Sequence, residues 1–313
     1  MNRNVLVTGG NGFIGSVVLR KLIEVHDTPI IIRRNSSDLW RINKIIDYIV
    51  VYNIDNLPLS KVFEMERIDA VINLATYYRK FDLYEDIDKM VDSNIKFPTQ
   101  LLQLCKEHNI PIFVTAGSYF QHEINYKSIN GSNSAVPRDF YAATKNAFER
   151  IMEYYSSNGN IKTVELVLST PYGEMDHDEK LIPYVIRQAL RNRPVKLSQG
   201  FQRLNLVYVE DVASAFVSAL DLSAGGSSGN PIIDIANDKS YSIRDIVEII
   251  ENLLEMHIDA NWNSLHTGKI DLVAELTIDN SRSQEILNWK PKVDIYEGLR
   301  RTIEYYKGEI IGN

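Results

Sequence analysis

A glycine-rich segment follows a short β-branched run near the start of the chain. Asn4-Val5-Leu6-Val7 has the composition of a buried strand, and the residues after Thr8-Gly9-Gly10-Asn11-Gly12-Phe13-Ile14-Gly15 have helical periodicity. In the G-x-G-x-x-G pattern of Gly10, Gly12 and Gly15, the first glycine allows a tight turn, the second admits a pyrophosphate and the third lets helix pack on strand. The helix N-terminus supplies free N–H groups to phosphates. The segment therefore predicts a dinucleotide-binding α/β fold.

Strand-like and helix-like runs alternate through the first half of the chain. This alternation predicts a Rossmann-type, doubly wound parallel sheet with helices on both faces. The longest helical pattern of this half covers residues 87–108 and ends before Pro111. Beyond about residue 169 the alternation loosens. The strand-like runs are residues 5–7, 30–32, 48–52, 70–74, 112–115 and 163–168.

Composition excludes several classes of function. The 313-residue chain has a formal net charge of −7 and a pI near 5.5, which argues against a nucleic-acid partner because phosphate binding needs a basic face. No apolar run reaches the ~18 residues of a membrane-spanning helix and no signal peptide is evident, so we expect a cytoplasmic protein without a membrane partner. Cys105 is the only cysteine, which excludes an intrachain disulfide. The six histidines lack metal-ligand spacing, so we expect no metal.

Tyr141 and Lys145, in Tyr141-Ala142-Ala143-Thr144-Lys145, have the spacing of a proton-transfer pair. Reduction of a ketone builds negative charge on oxygen, so a proton must arrive with the hydride. A lysine one helical turn from a tyrosine favours the phenolate and can hold the nicotinamide ribose. This spacing alone is common in a chain with 17 tyrosines. Together with the glycine motif, it predicts Tyr141 as general acid and Lys145 as the residue that tunes it.

These motifs resemble those of the extended short-chain dehydrogenase/reductase family, which includes nucleotide-sugar epimerases, dehydratases and 4-ketoreductases. The resemblance covers nearly the whole chain and is greatest to reductases of the CDP-abequose and paratose synthase type. Further segments that carry it are Asn73-Leu74-Ala75-Thr76, Ser93-Asn94, Pro171-Tyr172-Gly173, Leu181-Ile182-Pro183, Asn205-Leu206-Val207-Tyr208-Val209-Glu210-Asp211-Val212 and Asn288-Trp289-Lys290-Pro291.

The resemblance implies two domains and a homodimer. Residues 1–168 with about 205–236 would form the dinucleotide-binding domain. Residues of about 169–204 with 237–313 would form a smaller α/β domain that binds the nucleotide sugar. Subunits would pair through the helices of residues 87–108 and 141–158.

The end of the second predicted strand indicates which dinucleotide binds. NAD enzymes of this fold have an acidic residue there, whereas arginine accommodates the 2′-phosphate of NADP. Here Arg33 and Arg34 occupy that position, so NADP(H) is favoured. NAD(H) remains possible if both arginines lie in a solvated turn. The implied cofactor contacts are Gly9, Gly12, Phe13, Ile14, Gly15, Arg33, Arg34, Asn53 and Ile54 beside the adenine, Leu74, Ala75 by the nicotinamide ribose, Thr76, Asn94, Thr115, Tyr141, Lys145 and Pro171.

The chain departs from the family after the fifth predicted strand. Relatives have a Ser or Thr there, which bonds the reacting oxygen, within a segment like Ser-Thr-x-x-Val-Tyr-Gly. Here Thr115-Ala116-Gly117-Ser118-Tyr119-Phe120-Gln121 places Ala116 at the hydroxyl position. Three interpretations stay open: Ser118 or Thr115 substitutes through a shifted loop, the protein works without the hydroxyl, or Ala116 is an engineered replacement.

The same segment narrows the reaction. Dehydratases of the family have an Asp-Glu acid and base directly after the Thr, whereas this chain has Gly117 and Ser118. Epimerases at C3 or C5 use a Cys and a His, but Cys105 lies within an apolar helical run and is expected to be structural. Reduction or epimerisation at C4 remains. The implied substrate contacts are Tyr77, Ser118, Tyr119, Phe120, Thr170, Leu181, Ile182, Lys196 and Arg203.

The two arginines favour NADPH-dependent reduction of a CDP-, dTDP- or UDP-linked 4-keto-6-deoxy sugar in deoxysugar biosynthesis. The alternative within the same class is a C4 epimerase that retains NAD. A further alternative is a catalytically impaired or non-catalytic dinucleotide-binding protein, of which Ala116 would be the mark.

Overall fold

The computed structural model describes residues 2–79, 81–121, 137–222, 230–265 and 280–311. The chain divides into two compact units. The first comprises Met1–Leu168, Ala213–Asp234 and Arg282–Trp289; the second comprises Ser169–Val212, Ile235–Ser281 and Lys290–Asn313. Within the described parts of the chain, no helix is both long and apolar enough to cross a membrane.

Strands and helices alternate along most of the chain. The strands are β1 (Asn4–Thr8), β2 (Thr28–Arg33), β3 (Val50–Asn53), β4 (Ala70–Asn73), β5 (Ile112–Ser118), β6 (Lys162–Leu168), β7 (Thr170–Tyr172), β8 (Val195–Lys196), β9 (Arg203–Leu204), β10 (Leu206–Tyr208), β11 (Ile232–Ile235), β12 (Tyr241–Ser242) and β13 (Ala260–Asn261). The helices are α1 (Phe13–Glu24), α2 (Leu59–Met65), α3 (Ile87–Val91), α4 (Phe97–Glu107), α5 (Phe140–Asn158), α6 (Leu181–Leu190), α7 (Val209–Ala219), α8 (Ile243–Leu254), α9 (Ser281–Leu287) and α10 (Ile295–Ile311).

The first unit is built on a seven-stranded sheet with the order β11-β6-β5-β4-β1-β2-β3. In this order, each pair of neighbouring strands from β6 to β3 is parallel, which confirms the predicted doubly wound fold. The strand order reverses between β1 and β4, and open α/β sheets bind ligands at the carboxyl ends of the strands at such a point. The third strand begins later than predicted, at Val50, because a 3₁₀ turn occupies Asn43–Tyr48.

One face of this sheet packs against α4 and α5. Register pairs Leu6 of β1 with Val71 of β4, and Val71 with Phe113 of β5, so these side chains share a face. They form a buried cluster with residues of α4 and α5, which include Leu102 and Phe148. The cluster fixes α5 against the sheet, and α5 carries Tyr141 and Lys145 at its N-terminal end.

The predicted helix of residues 87–108 contains a π turn over Asp92–Lys96 that joins α3 to α4. Pro98 explains this interruption. A proline has no N–H to donate to the carbonyl four residues earlier, and its ring crowds that carbonyl, which here belongs to Asn94. The turn places the Asn94 side chain in the interior, where only 2% of its surface is exposed.

In the described part of the second unit, helices pack around short strand pairs. Strand β7 pairs with β10 and β8 with β13 in parallel, whereas β9 pairs with β12 antiparallel. Apolar side chains of α6, α8 and α10 form one buried cluster. Ser242 caps α8 in a reciprocal capping box with Asp245.

Candidate active site

The glycine-rich turn between β1 and α1 brings the backbone close to β4. Gly9 has a φ of +67°, and a Cβ on it would lie 2.8 Å from the backbone of Leu74 and Ala75. A Cβ on Gly15 would overlap the Gly9 carbonyl oxygen, so the helix can pack this closely only with glycine there. The sequence assigned the tight turn to Gly10, but the left-handed backbone is at Gly9.

The N-terminus of α1 suits a phosphate group. Gly12 is the N-cap residue, so no side chain accepts a hydrogen bond from the first-turn N–H groups, and the first turn has no acidic residue. A Cβ on Gly12 would meet only the Gly9 carbonyl oxygen, at 3.1 Å. Helix N-terminal amides without a cap, beside a turn that lacks side chains, fit the pyrophosphate of a dinucleotide. Phe13 and Ile14, predicted cofactor contacts, are the first two residues of this helix.

Polar side chains connect the carboxyl ends of β1, β4 and β5. The Thr8 hydroxyl donates to Asn73 Oδ1 at 2.7 Å and accepts from the Ala75 N–H at 3.1 Å. Asn73 Nδ2 donates to Thr115 Oγ1 at 3.0 Å, and that hydroxyl donates to the Asn73 carbonyl at 3.2 Å. All three polar side chains are buried. The network holds the loop of Leu74 and Ala75 beside the glycine turn.

Arg33 and Arg34 lie at the end of β2, as predicted. Arg33 Nη1 donates to the Arg34 carbonyl at 3.3 Å, and within the described residues neither guanidinium has a carboxylate at ion-pair distance. Asn53 ends β3 opposite Arg33, and its amide donates to Asn35 Oδ1 at 2.6 Å. The N–H of Ile54 donates to the Arg33 carbonyl. These contacts organise the loop and leave both positive charges available to an anion.

Tyr141 and Lys145 are both buried in the first two turns of α5, with 8% and 6% of their surfaces exposed. Asp139 starts the helix by accepting a hydrogen bond from the Ala142 N–H at 2.8 Å. The Lys145 ammonium donates to the Ala116 carbonyl at 2.9 Å and lies 5.7 Å from the centre of the Tyr141 ring. The structure therefore brings the predicted proton-transfer pair together with β5.

The pKa values of this pair are set mainly by burial. Burial raises the pKa of Tyr141 to about 12, opposed by a side-chain hydrogen bond with Thr76. Burial also lowers the pKa of Lys145 to about 8, opposed by the negative charge of Glu165. The Lys145 ammonium is hydrogen-bonded to the Ala116 carbonyl, and its predicted role in favouring the phenolate stays a prediction. A phenol whose pKa is raised by burial can serve as a proton donor.

The structure distinguishes the hydroxyls near position 116. Ala116 contributes its carbonyl to Lys145 but has no hydroxyl. Thr115 is 1% exposed and both donates to and accepts from Asn73, so its hydroxyl is engaged in the sheet. Ser118 is 9% exposed, and its Oγ accepts a long hydrogen bond from the Phe120 N–H at 3.4 Å. Of the two substitutes the sequence proposed, only Ser118 retains a weakly engaged hydroxyl.

Sequence reasoning missed a buried carboxyl group behind the pair. Glu165 of β6 is 1% exposed, and its Oε1 accepts from Gln121 Nε2 at 2.9 Å. Its other oxygen has no hydrogen-bond partner within the described part of the structure. Burial raises the pKa of Glu165 to about 7. The sequence signal that could have revealed Glu165 is a single charged residue within a predicted β-strand. Such a residue is informative because an unpaired Glu is rarely buried.

Aromatic side chains line the segment after β5. The rings of Tyr119 and Phe120, both predicted substrate contacts, lie 4.2 Å apart, and the Arg138 guanidinium covers the Phe120 ring at 3.2 Å. Tyr77, another predicted contact, donates its hydroxyl to Asp86 Oδ1 at 2.6 Å. All of these residues belong to the first unit.

The remaining predicted site residues belong to the second unit. Thr170 and Pro171 lie on β7, Leu181 and Ile182 begin α6, and Lys196 ends β8. Ile182 is 3% exposed and packs in the hydrophobic cluster of that unit. Its role as a substrate contact stays a prediction.

Arg203, the last predicted substrate contact, lies on β9. Its guanidinium donates to the Ser240 carbonyl and lies 3.8 Å from Asp245. Leu204, the next residue, packs against the cluster of the second unit. Strand alternation places Arg203 and Leu204 on opposite sides of β9. Arg203 thus lines a polar cleft of about 520 Å³ within the second unit, together with Asp245 and Tyr241.

Two features lie at the carboxyl ends of this parallel sheet: a glycine turn that leads into an uncapped helix, and a buried Tyr–Lys pair. The combination is typical of Rossmann-type enzymes that use NAD or NADP. The chain belongs to the NAD-dependent epimerase/dehydratase family, whose model matches residues 5–236. It is thus an NAD(P)-dependent enzyme of the extended short-chain dehydrogenase/reductase type.

The relatives include proteins named CDP-abequose synthase, UDP-sugar 4-epimerase and dTDP-D-glucose 4,6-dehydratase. CDP-abequose synthase of Yersinia pseudotuberculosis is 29% identical over 254 residues, which cover 81% of this chain and 86% of the relative. CDP-abequose synthase of Salmonella muenchen is 23% identical over 304 residues, covering 97% and 98%. Among solved structures, the UDP-glucose 4-epimerase of Thermotoga maritima with UDP-glucose superposes with a TM-score of 0.86 at 21% identity, covering 98% of this chain and 99% of that one. This last likeness confirms the fold.

Proposed function

We propose that the chain catalyses NADPH-dependent reduction of the C4 ketone of a nucleotide-linked 4-keto-6-deoxy sugar. The observation that carries this proposal is the burial of Tyr141 beside Lys145 at the start of α5, with Lys145 hydrogen-bonded to the Ala116 carbonyl of β5. Reduction begins with a proton donor, whereas oxidation of a hydroxyl, the first step of epimerisation, begins with a base. The choice of reduction over epimerisation rests on Arg33 and Arg34 at the end of β2, which favour a cofactor with a 2′-phosphate.

The chain's own residues divide the work as follows. The uncapped N-terminus of α1 and the glycine turn would hold the pyrophosphate, and Arg33 with Arg34 would bind the 2′-phosphate. Bound NADPH would supply the hydride to C4. Tyr141 donates its phenol proton to the ketone oxygen as that oxygen becomes negative, which leaves a phenolate. The Lys145 ammonium, one turn along α5, stabilises the phenolate electrostatically.

The residues after β5 support reduction over dehydration. Elimination of water across two carbons needs an acid and a base, and the positions after Ala116 hold Gly117 and Ser118, which have no carboxylate. Position 117 also has no space for a side chain, because a Cβ there would lie 2.6 Å from Glu165 Oε1. The relatives named CDP-abequose synthase support a CDP-linked substrate first, with dTDP- and UDP-linked sugars as alternatives.

A C4 epimerase that retains NAD is the second candidate, favoured by the structural likeness to UDP-sugar 4-epimerases, one of them a Bacillus cereus UDP-glucuronic acid 4-epimerase variant with a TM-score of 0.84 and 23% identity. The two candidates differ in cofactor exchange. A reductase consumes NADPH and releases NADP⁺, whereas an epimerase restores its cofactor in each turnover.

The decisive experiment is a titration of the purified protein with NADPH and NADH, followed by addition of each 4-keto-6-deoxy sugar nucleotide. We expect tighter binding of NADPH and loss of the reduced-nicotinamide absorbance with one ketosugar. Tightly bound NAD that does not exchange, with interconversion of a sugar pair and no net consumption, would replace the reductase by the epimerase. We also propose that the protein is a homodimer, which sedimentation of the purified protein would test. We further propose a cytoplasmic location, which fractionation of cells would test.

A further inference from the structure

A carboxyl group that the proposed reaction does not use lies beside the end of β5. Register pairs Glu165 of β6 with Thr115, and Gly117, two residues further along β5, lies on the same face of the sheet. Because Gly117 has no side chain, the carboxyl group can approach its main chain. A Cβ on residue 117 would lie 2.6 Å from Glu165 Oε1 and 3.0 Å from Gln121 Oε1. Two polar side chains therefore meet in the space that the glycine leaves.

Gln121 connects this carboxyl group to the turn that follows β5. Its Nε2 donates to Glu165 Oε1 at 2.9 Å, and its Oε1 accepts from the Ser118 N–H at 2.5 Å. Gln121 is 1% exposed and ends the 3₁₀ turn Tyr119–Gln121. One buried amide thus closes the turn from Ser118 to Gln121 and holds it against β6.

This turn carries the predicted substrate contacts Ser118, Tyr119 and Phe120. It begins two residues after Ala116, whose carbonyl accepts from Lys145. Ala116 is itself paired with β6 in the sheet, so the position of its carbonyl is set by strand pairing. The turn lies beyond the strand and has the Gln121 side chain as its link to Glu165. The contact to Lys145 and the geometry of the turn are therefore fixed by different interactions.

Stability alone does not account for a carboxyl group at this place. Glu165 is 1% exposed, and its Oε2 has no hydrogen-bond partner among the described residues. A buried polar atom without a partner is unfavourable, and an apolar side chain of similar volume would avoid that cost. What the carboxyl group supplies, and an apolar side chain lacks, is an acceptor for Gln121 Nε2.

We propose that Glu165 is a positioning residue for the substrate: through Gln121 it fixes the turn of residues 118–121 and the side chains that would contact the sugar. The inference rests on the proposed function for the identity of the ligand. It divides the end of β5 into two parts, since strand pairing holds the Ala116 carbonyl for Lys145 whereas Glu165 holds the turn beyond it. Groups that are ordered before binding lose less binding free energy to ordering.

The first test measures the order of the turn and needs no ligand. The Ser118 N–H donates to Gln121 Oε1, so its exchange with deuterium, followed by NMR, reports opening of the turn. In Glu165→Leu this exchange should be about tenfold faster relative to the Val114 amide inside β5, because the anchor of Gln121 is lost. Glu165→Gln should keep the parent rate, since its amide oxygen can accept from Gln121 Nε2.

Thr163→Val is the matched control for this test. Thr163 lies two residues before Glu165 on β6, is fully buried, and donates its hydroxyl to Asn230 Oδ1 at 3.1 Å. The variant loses a buried hydrogen bond on the same strand without altering a contact of Gln121. It should leave the exchange of Ser118 relative to Val114 unchanged.

The second test measures turnover and binding. In Glu165→Leu the KM for the 4-keto-6-deoxy sugar nucleotide should rise about tenfold, with a smaller change in kcat, because the turn contacts substrate while Lys145 keeps its carbonyl. The Kd for NADPH should stay at the parent value. Glu165→Gln should restore the parent KM.

Replacement of both partners separates positioning from a merely structural role. Glu165→Leu combined with Gln121→Leu exchanges a hydrogen-bonded pair for two apolar side chains, which can leave the free energy of unfolding nearly unaltered. A structural role predicts the parent KM in this variant, whereas the proposal predicts a KM raised as in Glu165→Leu alone.

Three results would each overturn the inference: unchanged Ser118 exchange in Glu165→Leu, an equal increase in Thr163→Val, or a parent-like KM in the double variant. If the parent protein reduces no ketosugar, the proposed function fails. The exchange comparison then still decides whether Glu165 fixes the turn.

Discussion

The Lys145 ammonium donates a hydrogen bond to the Ala116 carbonyl, 2.9 Å away, so the residue that lacks the expected hydroxyl nevertheless positions the lysine of the pair. A carbonyl is present whatever the side chain. The substitution at position 116 therefore removes a hydroxyl without removing the contact that holds Lys145 against β5. The main chain at position 116 positions Lys145, whereas the expected side-chain hydroxyl would bond the reacting oxygen. A buried Tyr–Lys pair can therefore persist beside an alanine.

Tyr141→Phe should abolish most of the reduction while the protein stays folded. The variant removes the proton donor but keeps the ring that packs against Tyr78, so we expect kcat to fall by about 10²- to 10⁴-fold. Steady-state NADPH consumption and circular dichroism measure the two effects. Tyr154→Phe is the matched control, because Tyr154 lies on the same helix but is 58% exposed. Equal losses in both variants would contradict the assignment.

Ala116→Ser tests whether the chain is an impaired enzyme. Because the main-chain carbonyl at position 116 already holds Lys145 and serine keeps that carbonyl, we expect kcat close to that of the parent. Ser118→Ala should likewise have a smaller effect than Tyr141→Phe. Side-by-side kinetics of the three variants measure this. A large gain of activity in Ala116→Ser would instead mean that the missing hydroxyl limits the reaction.

Arg33→Gln combined with Arg34→Gln should weaken NADPH binding without affecting NADH. Loss of charge-assisted hydrogen bonds to the 2′-phosphate predicts a rise in the Kd for NADPH of about 10- to 100-fold. Isothermal titration with both cofactors provides the measurement, and Arg191→Gln, an exposed arginine of the second unit, is the control. Equal weakening for NADH would indicate that the arginines do not read the 2′-phosphate.

Gly117→Ala should destabilise the protein because its Cβ would meet buried Glu165 Oε1 at 2.6 Å. Overpacking of an interior site costs about 1–3 kcal/mol in the free energy of unfolding. Gly308→Ala is the matched control. A Cβ on Gly308 would meet no described atom within 4 Å, and alanine is the better helix former, so that variant should gain about 0.5–1 kcal/mol. Denaturant unfolding of both variants tests the opposite signs.

The stability of the protein should decrease as pH rises from about 4.5 to about 7, because of Glu165. Burial raises the pKa of this carboxyl to about 7 in the folded chain, above its ordinary value of 4.5. Between these values the folded state binds more protons than the unfolded state, so the free energy of unfolding falls with rising pH. Glu165→Gln, which keeps the amide contact with Gln121, should flatten this part of the profile. An identical slope in both proteins would show that Glu165 does not titrate there.

The sequence predicted those features that depend on local pattern. The β-branched runs and their spacing indicated the parallel strands. The i, i+4 spacing of Tyr141 and Lys145 placed the pair on one helix face. What the sequence could not predict depends on tertiary contact. Asn94 bonds both the Thr76 hydroxyl, 18 residues away along the chain, and the Thr144 hydroxyl, 50 residues away, and no local pattern indicates this link.

Other differences also have physical causes. The π turn follows from Pro98, which leaves the Asn94 carbonyl without its helical hydrogen bond. Whether a helix bends, ends or forms a π turn at such a proline depends on the elements packed around it, which the local sequence does not show. The shift of the left-handed turn from Gly10 to Gly9 depends on the approach of Leu74 and Ala75, which lie on another strand's loop.

Isotope transfer tests the central claim most directly. NADPH deuterated at the transferable position of its nicotinamide is incubated with the protein and CDP-4-keto-6-deoxyglucose, and the sugar product is analysed by NMR and mass spectrometry. The account predicts one deuterium at C4 of the product for each NADPH oxidised, and its loss in Tyr141→Phe. A sugar product without deuterium, or oxidation of NADPH without a reduced sugar, would contradict it.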